Sequence, residues 1–159
     1  MLKSNRSKNF KARGGQFVII ASKYNARYVD AMLKSAQSEL KRAGAAKVKI
    51  VRVPGAFEIP TIATKLANAS HKTSDSRIAA FICLGVILRG QTVHAEHIGR
   101  AVTEALMWIQ VRYEVPVIHE VLLLENEEQA RVRCLGTKYN RGTEAAQTAL
   151  EMARVMAEL

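Results

Sequence analysis

Apolar residues alternate along this chain between short unbroken runs and stretches with a period of three and four. QFVIIAS, residues 16 to 22, is β-branched and continuously apolar, which predicts a central strand buried on both faces. From Tyr28 to Ala43 the positions Val29, Leu33, Ala36 and Leu40 recur at helical spacing, and Gly44 stands where helices commonly stop. KVKIVRV, Lys47 to Val53, predicts a second strand closed by Pro54-Gly55. The helical period returns from Phe57 to Ala69, with Ile62, Leu66 and Ala69 on one side, and Pro60 fits only in its first turn. The polar stretch 70 to 76, SHKTSDS, reads as a surface loop. Arg77 to Leu84 predicts the third strand and Gly85 to Thr92 its loop. His94 to Tyr113 is a helical pattern that buries Ile98, Ala101, Val102, Ala105 and Ile109. Pro116 opens a fourth strand, Val117 to Leu124. Glu127 to Cys134 is a short helix with acids in its first turn. After a break from Leu135 to Arg141, a last helix from Gly142 to Leu159 aligns Ala146, Leu150, Ala153 and Met156 or Ala157.

Strand and helix alternate throughout, so the expectation is an α/β fold of right-handed βαβ units. Its four-stranded parallel sheet carries helices on both faces. A small sheet has edges that need cover, and a neighbouring subunit is the natural cover. In such sheets ligands gather at the carboxyl ends of the strands. The loops leaving strands one, two and three there are Lys23-Tyr24-Asn25, Pro54 to Glu58, and Gly85 to Thr92.

A length of 159 residues fits one domain, able to bury roughly 70% of its unfolded surface. No apolar stretch nears the ~20 residues of a membrane span, and nothing apolar follows the basic start as in a secretory signal. The net charge is +10, and Lys3, Arg6, Lys8, Lys11 and Arg13 supply five of those charges with no acid among them. Residues 1–15 therefore read as a flexible basic arm on a single domain, 16–159. Such an arm can bind nucleic acid, but a solvated tail is the commoner outcome. Cys83 and Cys134 fall in core-like positions and read as reduced thiols of a cytoplasmic protein.

The rim loops supply an aromatic face, a carboxylate and a phosphate cradle. Each feature has an ordinary reading: Tyr24 as a capping aromatic, Glu58 as a helix-start acid, and Gly90-Gln91-Thr92 as a plain turn. That turn matches neither the Walker loop nor the dinucleotide fingerprint. Together they carry more weight than singly. The turn precedes a helix whose amides and dipole suit an anion, and His94 in its first turn is a titratable proton carrier. His94 and His97 share a helix face, yet a third metal ligand at the right spacing is missing and His119 is only a candidate, so no metal is expected. Arg131, Arg133 and Arg141 read either as a solvated basic face or as a clamp on phosphate. A nucleic-acid module and a binding or shell protein without catalysis are the rival readings.

PGAFEIP at 54–60, LGVILRGQTVH at 84–94, and PVIHEVLLLENEEQARVR at 116–133 with NRG at 140–142 together resemble the 6,7-dimethyl-8-ribityllumazine synthases. The likeness runs from Gln16 nearly to the end of the chain. It implies a flavodoxin-like three-layer sandwich assembled as homopentamers, in many members twelve pentamers forming an icosahedral shell, with active sites between subunits. It implies a transferase of riboflavin biosynthesis. The reaction joins 5-amino-6-(D-ribitylamino)uracil to L-3,4-dihydroxy-2-butanone 4-phosphate, with loss of phosphate and water and without a cofactor. Riboflavin synthase is the implied partner. By position, Tyr24 and Asn25 match the ring-stacking aromatic and its neighbour. Ala56, Phe57 and Glu58 match the ribityl-binding stretch, and Val86 and Ile87 the loop that reads the uracil edge. Gly90, Gln91 and Thr92 match the phosphate turn, His94 the proton-transfer histidine, and Arg133 the phosphate-binding arginine of the next subunit. Arg141 stands where lysine is common. The chain departs from the pattern at Ala95, which replaces an aromatic, and at His119-Glu120, which replaces a Phe-Gly whose Phe packs on the bound ring.

Overall fold

The computed structural model describes residues 11–12, 14–70, 77–137 and 139–159. Most of the arm assigned to residues 1–15, and residues 71–76 of the polar loop, lie outside them.

Strands β1 (Gln16–Ser22), β2 (Lys47–Val53), β3 (Ile78–Leu88) and β4 (Val117–Leu124) form one parallel sheet in the order β2-β1-β3-β4. Helices α1 (Ala26–Arg42) and α5 (Arg141–Glu158), with the short α4 (Glu127–Cys134), cover one face. Helices α2 (Ile59–Ser70) and α3 (His94–Tyr113) cover the other. The parity of β1 decides the layers: Phe17, Ile19 and Ala21 point to the first face, Val18 and Ile20 to the second. Every residue of β1 after Gln16 is buried, as its unbroken apolar run requires. β2 is the exposed edge, with Val48 and Ile50 among its accessible side chains. Cys83 and Cys134 are unlinked and lie in the cores of opposite faces, where burial pushes their thiols up to about 12 and about 11.

Local chemistry sets the helix ends. Gly44, at φ 78°, follows α1, and its amide and that of Ala45 return to Lys41 and Leu40. Asn126 caps α4 through Gln129 N–H at 3.0 Å, and Asn140 caps α5 through Gly142 N–H at 2.9 Å. At Gly142, α5 crosses α1 so closely that a Cβ would meet the Met32 carbonyl oxygen at 2.0 Å, so only glycine fits there.

Three expectations need correction. β3 does not end at Leu84: Gly85 to Leu88 continue it, paired with Val121 to Leu124. An eight-residue β4 needs that length opposite it, and glycine does not forbid it. In α2 the buried stripe is Ile59, Ala63 and Ala67; Ile62 and Leu66 are half-buried and Ala69 is exposed. In α3, Ala95, Val102, Leu106 and Ile109 are buried, Ile98 and Ala105 partly so, and Ala101 faces outward. Small residues on several faces blur a helical period.

Candidate active site

The ends of β1, β2 and β3 are tied into one rim. Lys23 N–H donates to the Val53 carbonyl at 2.8 Å and Tyr24 N–H to that of Pro54 at 3.0 Å. β3 runs past its last β1 partner, the Ala21–Leu84 pair, and there the Asn25 side-chain amide donates to the Val86 carbonyl at 2.8 Å. Asn25 does this from a left-handed backbone, φ 56°, and its side chain makes no cap bond to α1, although its carbonyl accepts the Tyr28 amide at 3.0 Å. The Arg52 guanidinium reinforces the corner, reaching Ser22 O at 3.0 Å and Asp30 at 2.7 Å. Tyr24 and Phe57 project from neighbouring loops with 73% and 59% of their surface exposed, two aromatic faces without cover. Ala56 is buried beneath them in a 3₁₀ turn, Ala56–Glu58. The Glu58 carboxylate turns back to accept the Gly55 amide at 2.7 Å, the ordinary work of an acid at a helix start.

Beside this slot, Gly90, Gln91 and Thr92 lead into α3. No side chain caps that helix; Val93 is its first flanking residue, and the His94 amide reaches only the Thr92 hydroxyl, at 3.4 Å. An uncapped helix start presents amides and the positive dipole end to an anion. His94 is exposed at that start. Arg89 was not singled out in the sequence, yet it holds the turn in place. It pairs with Glu96 in α3 and with Glu125 after β4 at 2.8 Å, and its amide donates to Leu124 O. An arginine closing an apolar strand, seven residues before an acid in a helix's first turn, was the available signal.

The remaining candidates lie elsewhere. His119 sits on β4 five residues before the strand's end, roughly 16 Å back along it at 3.3 Å per residue. Its Nε2 is 2.9 Å from the Thr103 hydroxyl of α3, and burial lowers its pKa, which favours the neutral imidazole. On the opposite face Glu120 is buried and lies 3.2 Å from Arg141, which also pairs with Glu144 at 2.6 Å. Arg133 is exposed on α4, and among the described residues its guanidinium hydrogen-bonds only within its own helix, to the Gln129 carbonyl. The Cys134 thiol lies within electrostatic reach of Glu120, Arg133 and Arg141, which places this cluster together at the β4 edge. Among the described residues no group of three or more side chains suited to a metal ion comes together, and no helix is long and apolar enough to cross a membrane.

A family model described as 6,7-dimethyl-8-ribityllumazine synthase matches residues 14–157. The chain belongs to the 6,7-dimethyl-8-ribityllumazine synthase family. Proteins of that name from Stenotrophomonas maltophilia, Xanthomonas campestris and Xylella fastidiosa are similar to it. The first is 39% identical over 91% of this chain and 90% of its own length. The second is 41% identical over 89% of each, and the third 39% identical over 95% and 96%. With the lumazine synthase family come its enzyme class, a transferase, and its step, the condensation that makes the lumazine of riboflavin biosynthesis. The lumazine synthase motifs fall on both the rim and the β4 edge, and both ends of the resemblance therefore have a place in the fold.

Proposed function

We propose that the active site is built from two copies of the chain, the rim of one facing the β4 edge of the next, in a ring of five. The observation that carries this reading is the division just described. The aromatic slot, the phosphate turn and His94 sit on the rim, whereas His119, Arg133 and Arg141 sit partway down an edge strand and the helices beside it. Met107, Trp108 and Val111 also line one exposed sector of α3, a surface suited to burial against a second copy.

In this site Tyr24 stacks on the pyrimidine ring of 5-amino-6-(D-ribitylamino)uracil, with Asn25 fixing the loop and the Val86 and Ile87 backbone reading the ring's polar edge. Ala56, Phe57 and Glu58 hold the ribityl chain. Gly90, Gln91 and Thr92 receive the phosphate of L-3,4-dihydroxy-2-butanone 4-phosphate, and Arg133 of the adjacent copy closes on it. Arg141 adds a second guanidinium, and the neutral ring of His119 packs on the bound heterocycle from across the boundary. The amine attacks the ketone and water leaves as the imine forms. Phosphate is then eliminated, and attack of the ribitylamino nitrogen on the remaining carbonyl closes the ring with loss of a second water, which gives the lumazine. His94 carries protons between these steps. Both reactants are intrinsically reactive, so orientation can supply much of the rate, up to ~7–11 kcal/mol in ideal cases. No cofactor enters this scheme. The buried free thiols accord with a cytoplasmic location. Association of twelve pentamers into a shell around riboflavin synthase is the further assembly the resemblance implies.

The test is complementation. His94→Ala damages the rim and Arg133→Ala the edge. If sites are shared, mixed rings of the two variants regain about a quarter of their sites intact under random assembly. Product fluorescence after co-refolding with both substrates measures it. Activity that never rises above the two variants alone refutes shared sites, and a monomer in sedimentation refutes the ring.

A further inference from the structure

Glu120 has no part in the reading above, although it is 8% exposed and carries a charge-capable group into the core. Its Oε2 lies 3.2 Å from Arg141 Nε, but neither atom is aligned for a hydrogen bond. The same guanidinium is gripped through Nη1 by Glu144 Oε2 at 2.6 Å. One cation is thus bracketed by two acids, while among the described residues the nearby Arg133 hydrogen-bonds only to the carbonyl of Gln129, at 3.4 Å. Two acids on one arginine leave a net negative charge close to the cluster assigned to an anionic substrate.

We propose that Glu120 is a positioning residue for Arg141: ionised, it draws the guanidinium into the clamp with Glu144; protonated, it releases it to join Arg133 on the phosphate. The inference rests on the reading of Arg133 as the phosphate-binding arginine. Around Glu120, α5 contributes Arg141 and Glu144, and α4 contributes Cys134, whose thiol also lies within electrostatic reach of Arg133. The β3 partner, Leu84, is apolar, and His119 points to the other face, toward Thr103. Burial pushes the Glu120 carboxyl up to about 7 against the pull of Arg141. The release therefore takes place in the range where such enzymes are assayed, while the Cys134 thiol, at about 11, stays neutral there.

The probe is inorganic phosphate as a competitive inhibitor of the assembled enzyme, with Ki measured from about pH 6 to 8.5. Its second ionisation falls within this range but is common to every variant, so the ratio of Ki values isolates the protein group. For Glu120→Gln the ratio of wild-type to variant Ki is expected to grow about three- to tenfold as pH rises through 7, since the wild type alone re-forms the clamp. The KM for the phosphorylated substrate should fall with it, while the KM for the pyrimidine does not follow. A ratio flat with pH, or both KM values moving together, overturns the proposal. Arg141→Gln provides the second line, because it removes the clamped cation from the exposed side and should abolish the wild-type pH limb even where Glu120→Gln assembles poorly. A wild-type limb retained in Arg141→Gln overturns the proposal equally. Arg133→Ala separates the two ideas: an unchanged phosphate Ki there refutes the phosphate-site reading, whereas a weakened one with a flat Glu120→Gln ratio refutes only the clamp.

Discussion

Replacing Asn25 tests whether the rim is held by one side chain. Asn25 combines two features: a left-handed backbone, φ 56° and ψ 40°, and a 2.8 Å hydrogen bond from its side-chain amide to the Val86 carbonyl, beyond the reach of β1. Asn25→Gly removes the hydrogen bond and keeps the backbone comfortable. The loss is the bond plus the cost of a part-buried carbonyl left unpaired, about 1–3 kcal/mol. Asn25→Ala removes the same bond but keeps a Cβ in the left-handed region, where it is about 1–2 kcal/mol worse off than glycine. The expected order is wild type, then Gly, then Ala, with the two variants separated by that backbone cost alone. Urea unfolding at one fixed protomer concentration measures it, because assembly makes apparent stability depend on concentration. Both variants should raise the KM for the pyrimidine, whose slot lies between the loops this bond joins. Equal stability of the Gly and Ala variants would show that the backbone strain is absent. An unchanged KM in both would show that the bond is not what shapes the slot.

Other changes reach other parts of the argument. His94→Ala should lower turnover by roughly 10²–10⁴ yet leave measurable activity, since positioning persists; complete loss or no effect in steady-state assays contradicts that division. Gly142→Ala drives a Cβ against the Met32 backbone and should cost about 1–3 kcal/mol or prevent folding, as read by thermal unfolding. Trp108→Glu puts a charge into the apolar sector of α3 and should shift sedimentation toward monomers with matching loss of activity. For Glu120 the folded pKa, about 7, lies above its ordinary value, so its contribution to stability is complete below about pH 4.5 and fades as pH rises through 7. Wild type should thus lose up to about 3 kcal/mol relative to Glu120→Gln between those limits, and parallel stability–pH curves for the two would contradict the assignment.

Strand and helix order were legible because burial on two faces demands unbroken apolar runs, as in Phe17 to Ala21 and Ala80 to Leu84. The end of β3 was not. Gly85 reads locally as a turn, and only pairing with Val121 explains why the chain stays extended there. The α3 stripe was half legible, because alanines fit inside or outside, and the large apolar Met107, Trp108 and Val111 face outward, away from this chain's own core. Of the site, the convergence of the three rim loops followed from parallel topology alone. The roles of Arg133 and His119 came only from resemblance, since nothing in their spacing says that they sit apart from the rim. Glu120 was invisible as a buried acid, because a glutamate in a strand ordinarily marks the solvent side, and its partner Arg141 lies twenty-one residues on.

The proposed shared site would account for the large apolar side chains this chain leaves uncovered. Tyr24 and Phe57 are large aromatics standing in water at the rim, and Trp108 and Val111 stand in water along α3, at 56% and 70% exposure. A monomer gains nothing by such exposure, since each side chain forgoes about 1.5–3 kcal/mol of burial. In the proposed ring a neighbour recovers that energy and at the same time brings its β4 edge to the rim, where the phosphate turn and the pyrimidine slot stand open. On the shared-site proposal, assembly and catalysis are therefore coupled. A substitution in the α3 sector that touches no substrate should impair the reaction in proportion to the interfaces it dissolves.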